Sequence, residues 1–122
     1  MIIIDIPELP ISVNKAFRQA GRFRVRTRDY EDWLALVELH IPDCPDLSSS
    51  PLAVEITLYK EDWFTKKGTI RRADIDNYVK TCLDSIFKHL NADDSQVFQL
   101  KVVKEHGSSP RTLVKIYDLS VN

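Results

Sequence analysis

Glycine is scarce in this chain: three residues, Gly21, Gly68 and Gly107, each alone among its neighbours. A P-loop or a dinucleotide fingerprint needs clustered glycines so that backbone can approach phosphates closely, and both are excluded. The three histidines, His40, His89 and His106, lie far apart and do not combine with the cysteines at zinc-ligand spacing. No serine stands in a nucleophile-elbow setting. The two cysteines are Cys44 and Cys82. Cys82 falls on the apolar face of an expected helix, which reads as reduced thiols in a cytoplasmic protein. Long apolar runs are missing too. The opening MIIIDIPELP is too short a run for a signal peptide and is interrupted by Asp5, and no stretch approaches a membrane span. Neither membrane contact nor a nucleotide cofactor is expected.

Neither sign of charge dominates, since 17 Lys and Arg face 18 Asp and Glu for a formal net charge of −1. The distribution is far from even. Residues 15–28 hold Lys15, Arg18, Arg22, Arg24, Arg26 and Arg28 without an acid, and residues 29–55 hold seven acids without a lysine or arginine. Residues 60–72 turn basic again through Lys60, Lys66, Lys67, Arg71 and Arg72, against Glu61 and Asp62. Such blocks make one basic and one acidic face in a nearly neutral protein, or else solvated charges with no partner; the runs alone do not separate the two.

A length of 122 residues, 43% of them hydrophobic, fits one domain, 1–122, with a modest core. Residues 2–6 suit a first strand. PISVNKAFRQAGRFRVRTR is either a long basic hairpin or a mobile loop. Tyr30, Trp33, Leu34, Val37 and Ile41 recur at helical spacing, from Thr27 or Asp29 up to Pro42. Residues 52–60 alternate as a half-buried strand. Val79, Cys82, Leu83, Ile86, Phe87 and Leu90 share one stripe, which predicts a helix over 76–90. Residues 96–105 and 111–119 read as two strands joined by HGSSP. The expected architecture is α+β, a mixed sheet with two helices packed on it. Trp33 and Trp63 are read as packing residues.

With other chemistries removed, the acids are the catalytic candidates. In RRADIDNYVK, residues 71–80, two carboxylates stand one residue apart behind two arginines. On a helix Asp74 and Asp76 would point about 200° apart; on an extended segment they share a side. An extended lead-in is expected, with Ile75 turned inward, Asp76 capping the helix and Lys80 one turn along. Hard oxygens with an adjacent lysine suit Mg²⁺ or Mn²⁺ rather than zinc. The same residues also serve as a cap and as ion-pair partners for Arg71 and Arg72, with Asp93-Asp94 as a turn. Local pattern leaves both readings open. Asp84 lies opposite the apolar stripe and is assigned no role.

Three motifs together carry more. RRADIDNYVKTCLDSIF, the following DDSQV and the N-terminal PISVNKAFR resemble, in this order, the RusA family of Holliday-junction resolvases. The resemblance runs from the first strand to about Glu105. It implies that Asp74, Asp76 and Asp94 are metal-site acids, that Lys80 is the catalytic lysine and that Asp93 is the acid before the last aspartate. It further implies a homodimer that nicks four-way DNA junctions in pairs with Mg²⁺ or Mn²⁺, in a phage or prophage setting. Family members often place bulky apolar residues before Asp-Asp, whereas HLNADD here is shorter and more polar. Asn14, Lys15, Arg18, Arg22, Arg24 and Arg26 would then carry the DNA backbone, since phosphate contacts give affinity without sequence information. Two rivals stand beside this expectation: a catalytically silent DNA-binding protein of the same fold, and a metal-dependent enzyme on a small phosphorylated substrate. The fourteen-residue basic block has no use in the second.

Overall fold

Alternation in IIIDI makes a strand, β1 (Ile2–Ile6), with Ile2, Ile4 and Ile6 buried and Ile3 and Asp5 facing out. The computed structural model describes residues 1–120. Next comes a single helical turn, α1 (Val13–Ala16), started by Ser12, whose side chain accepts from the Asn14 amide at 3.3 Å. Two short strands, β2 (Phe17–Ala20) and β3 (Phe23–Arg26), follow as an antiparallel hairpin. The basic segment is thus a helical turn plus a hairpin, reversed at Gly21 with φ +62°, a conformation that favours glycine. Thr27 then caps α2 (Arg28–His40) by accepting from the Tyr30 amide, and its hydroxyl also donates to the Lys15 carbonyl at 2.7 Å. One threonine therefore ties the base of the hairpin to the start of a helix.

After a proline- and serine-rich connection, β4 (Leu52–Lys60) leads through a polar loop to α3 (Ile75–Leu90). A 3₁₀ turn at Asp94–Gln96 precedes β5 (Val97–His106), and β6 (Arg111–Asp118) closes the chain's sheet. The sheet order is β1-β6-β4-β5: β6 is antiparallel to both of its neighbours, and β4 and β5 are parallel. Parallel neighbours need a crossover, and α3 supplies it. The α+β expectation holds, with α1 added as a third, short helix.

Rows of side chains cross the sheet beneath the helices. Ile4, Val114, Ile56 and Val102 form one row, and Ile2, Ile116, Val54 and Leu100 the next. Against them α3 presents Cys82, Leu83, Ile86, Phe87 and Leu90, and α2 presents Trp33 and Val37. Burial pushes the Cys82 thiol up to about 12, so it stays protonated, and Cys44 is likewise free. The rows fray at β5, where Leu100 is 47% exposed. A bulge beside Leu52 displaces Phe98, which is 72% exposed. Among the described residues no helix is long and apolar enough to cross a membrane.

The two long helices are joined by one buried polar contact. Trp33 Nε1 donates to Ser85 Oγ at 3.0 Å, and Ser85 Oγ donates to the Cys82 carbonyl at 2.9 Å. Ser85→Ala would leave the indole N–H buried without an acceptor, so unfolding in urea should show a loss of about 1–3 kcal/mol. A variant as stable as the wild type would mean that the contact contributes nothing to the α2–α3 packing.

Candidate active site

Asp74 has an extended backbone, with φ −68° and ψ 129°, and stands at the N-cap of α3; its carbonyl accepts from the Asn77 amide at 3.1 Å. Its carboxylate makes no capping bond. The extended lead-in expected through Asp76 therefore stops two residues earlier. Ile75 is the first helical residue and is 36% exposed, not turned inward, and Asp76 lies in the first turn rather than at the cap. The physical reason is that Asp74 starts the helix through its backbone carbonyl, which accepts from Asn77, and that acids at and just after a helix start are favoured by the helix dipole. Because Asp74 precedes the helix, the helical angle that would separate the two carboxylates does not apply to it. Both line one open hollow of ≈ 500 Å³ with Ile70, Arg71, Arg72 and Lys104.

The two arginines do not neutralise them. Arg71 reaches Asp62 at 3.4 Å and donates from Nε to the Phe64 carbonyl at 3.2 Å. Among the described residues, neither Arg71 nor Arg72 forms an ion pair with Asp74 or Asp76. A second hollow, ≈ 350 Å³, adjoins the first at Arg72 and Asp74 and is lined by Asn14, Lys15 and Asn77. The N-terminal motif and the Asp-x-Asp-Asn motif, sixty residues apart in sequence, thus meet around Asp74. Thr81 fastens this arrangement from inside by donating its hydroxyl to the Ile11 carbonyl.

Lys80 lies one turn beyond Asp76 but extends the other way. Its Nζ is 3.3 Å from Asp84 and 3.4 Å from Asp94. Asp94 reaches it because α3 ends in a left-handed residue, Asn91 (φ 51°), whose N–H donates to the Phe87 carbonyl and turns the chain back. Asp84, given no role from sequence, is the nearer partner. The available signal was its (i, i+4) spacing from Lys80. The Asp84 and Asp94 carboxylates hold the lysine above its ordinary range, Asp84 contributing most. Asp93 shapes the turn: its carboxylate accepts from Ser95, its backbone amide donates to Gln96 Oε1 at 2.8 Å, and Asp93 and Gln96 form a capping box. The hydrogen bond from the Ser95 hydroxyl is the main reason its carboxyl lies below the usual range.

The donor chemistry of Asp74 and Asp76 fits a hard divalent cation, being exposed carboxylate oxygen without a competing cation. Asp94 is engaged by Lys80 instead, and among the described residues no three acids, histidines or cysteines are drawn together in metal-holding geometry.

The basic hairpin flanks this region. Lys15, Arg18, Arg22, Arg24 and Arg26 are exposed, as is Asn14. Arg24 lies over the Phe17 ring at 4.3 Å, and Phe17 in turn meets Tyr30 edge-on at 5.4 Å. Arg26 is braced against Tyr30 and reaches Glu31 at 3.7 Å. These contacts hold the two guanidinium groups against aromatic rings, while both side chains stay exposed. Lys104 joins the acidic hollow through the parallel β4–β5 register; no local signal in the sequence announces it.

The chain is thus a small α+β domain with paired acids at a helix start and a basic hairpin following its first helical turn. The chain belongs to the endodeoxyribonuclease RusA family, whose model matches residues 8–117. It is also similar to an uncharacterised protein, YqaN, of Bacillus subtilis (strain 168), at 29% identity over 110 residues covering 78% of this chain and 76% of that protein.

Because two carboxylates favour the charged lysine, their contact with Lys80 stabilises the fold fully below the ordinary lysine pKa and is lost as pH rises through the raised one. Asp84→Asn should bring the Lys80 titration, followed by NMR of the side-chain methylene next to Nζ, back toward that of a free lysine. Asp94→Asn should move it less. An unchanged titration in Asp84→Asn would mean that Asp84 does not hold the charge on Lys80.

Proposed function

We propose that this chain, as one domain over residues 1–122, is a metal-dependent Holliday-junction resolvase that nicks four-way DNA junctions in pairs as a homodimer. The carrying observation is the meeting of Asp74 and Asp76 with Asn14, Lys15, Arg72 and Lys104 around two adjoining hollows, carboxylates in a basic surround, in a member of the endodeoxyribonuclease RusA family. Asp74 and Asp76 would hold Mg²⁺ or Mn²⁺, which when bound supplies an acidified water and neutralises charge on the scissile phosphate, and Asp94 would join them as third carboxylate only by giving up its contact with Lys80. Lys15, Arg72 and Lys104 fix the phosphate over the acids, holding it in the orientation that hydrolysis needs. Lys80 is kept protonated by Asp84 and Asp94, so it is a ready cation for charge that develops on the leaving oxygen. Arg18, Arg22, Arg24 and Arg26 extend the phosphate track along the hairpin.

The homodimer reading is supported by β5. This strand is at the sheet edge with one side unpaired, and it exposes Phe98 and Leu100. A two-fold pairing of such edges buries both residues and sets two identical sites on one symmetric junction.

Asp74→Asn and Asp94→Asn should each lower nicking of a four-way junction in Mg²⁺ by at least about a hundredfold, the scale of losing one charge-stabilising group. Metal-free junction binding should persist or tighten, since a negative charge near phosphate is removed. Asp93→Asn should keep cutting, because its role is the capping box. Full cutting by the first two variants would sink the assignment, and a wild type that binds junctions without cutting them would favour a silent DNA-binding protein.

Sedimentation checks the dimer separately. Wild type at micromolar concentration should run as a dimer and the double variant Phe98→Lys, Leu100→Lys as a monomer. A monomeric wild type on and off the junction would leave paired nicking without a basis.

A further inference from the structure

Between β4 and α3 the chain makes a small, closely fastened hairpin. Phe64 and Ile70 are cross-strand partners, the Thr65 amide donates to the Thr69 carbonyl at 2.7 Å, and the Gly68 amide donates to the Thr65 carbonyl at 2.9 Å. Gly68 turns the tip with φ +83°, and Lys66 and Lys67 stand exposed on it. At the base, Arg71 donates its amide to the Trp63 carbonyl at 3.0 Å and its Nε to the Phe64 carbonyl. A loop tied this way has a well-defined backbone, yet its two large apolar residues are not used in the core: Phe64 is 58% and Ile70 74% exposed.

Beneath them Trp63 is buried, anchored by Nε1 donating to the Glu105 carbonyl at 2.8 Å. Lys60 and Lys104 stand over its ring, at 5.3 and 5.0 Å. Trp63, Phe64 and Ile70, with Glu61, Lys104 and His106 at the rim, line an open, mainly apolar hollow of ≈ 390 Å³. Ile70 and Lys104 also line the hollow that holds Asp74 and Asp76. The apolar hollow and the acidic one are therefore neighbours across a shared wall.

The surroundings are cationic. Lys60, Lys66, Lys67, Arg71, Arg72 and Lys104 gather here, and the nearby Asp62 is already paired with Lys60 and Arg71. An apolar, aromatic slot ringed by cations and set beside a phosphate position fits a flat heterocycle carried on an anionic backbone. Bases inside a duplex are stacked and cannot enter; an unpaired base can, and unstacking costs least where pairing is already broken.

We propose that this hollow receives one unstacked nucleobase adjoining the phosphate held over Asp74 and Asp76, with Phe64 as the stacking platform and Lys66, Lys67 and Lys104 on the backbone. This rests on the nucleic-acid reading above but not on cleavage. The test is equilibrium binding without divalent ions, by fluorescence anisotropy at fixed salt, of a labelled oligothymidylate and of an abasic strand of equal length. Wild type should favour the base-bearing strand by about tenfold, within the range of base–aromatic stacking. Phe64→Ala should reduce that preference to near one with little change toward the abasic strand, and Phe64→Tyr should restore it. Ile70→Ala, also at an exposed position, should lower the preference without abolishing it.

Equal affinity of wild type for both strands would overturn the proposal. So would no binding of either strand, or a Phe64→Ala loss equal on both. Loss of nicking with the base preference intact would count against the resolvase reading alone, and nicking without the preference against this hollow alone.

Discussion

The parallel pairing of β4 with β5 is the constraint on which the rest depends. Two strands that run the same way cannot be joined by a tight turn, so the chain must travel back along the sheet, and α3 is that return. The register sets Lys60 beside His106 and Tyr59 beside Glu105, so whatever leaves the end of β4 meets the end of β5. That is why Trp63, Phe64, Ile70, Asp74 and Lys104 gather at one end of the sheet although they come from three segments. A helix start placed there presents unsatisfied amides, which makes aspartate at and just after the cap locally favourable as well as chemically useful.

The same crossover explains the position of the second acidic pair. A helix of 16 residues carries the chain on the order of 24 Å, so Asp93 and Asp94 emerge at the far end of α3 from Asp74. The left-handed Asn91 and the capping box on Asp93 fold the chain back far enough for Asp94 to meet Lys80, which leans toward it from the second turn. Lys80 thus links the two acidic motifs: it is one turn from Asp76 in sequence and in contact with Asp94 in space. Both its partners favour the charged form of the lysine.

Around this frame the molecule fixes side chains that in isolation would be mobile. Arg24 and Arg26 of β3 lean on Phe17 and Tyr30, and Thr27 joins the hairpin base to α2. Arg71 fastens the loop before α3 instead of neutralising the acids beside it in sequence. Thr27 and Arg71 are thus used to hold backbone, and with Arg71 engaged elsewhere Asp74 and Asp76 stay exposed.

Much was legible in the sequence. Period-two and period-3.6 patterns determined β1, β4, α2 and α3 to within a residue or two, because burial on one face of a regular element repeats locally. Three ordered motifs determined the family. The two-residue spacing of Asp74 and Asp76 left their geometry ambiguous, because the cap position itself decides where extended backbone ends, and the cap fell on Asp74. Asp84 as the partner of Lys80 was within reach of helical spacing, while Asp94 was not, since its return depends on one left-handed residue after the helix. Which strand lies beside β4, and hence that Lys104 shares a hollow with Asp74 and that Phe64 and Ile70 wall a hollow beside it, is decided by the pairing of segments distant in sequence, Leu52 with Val97 and Lys60 with His106, an interaction with no local periodicity to read.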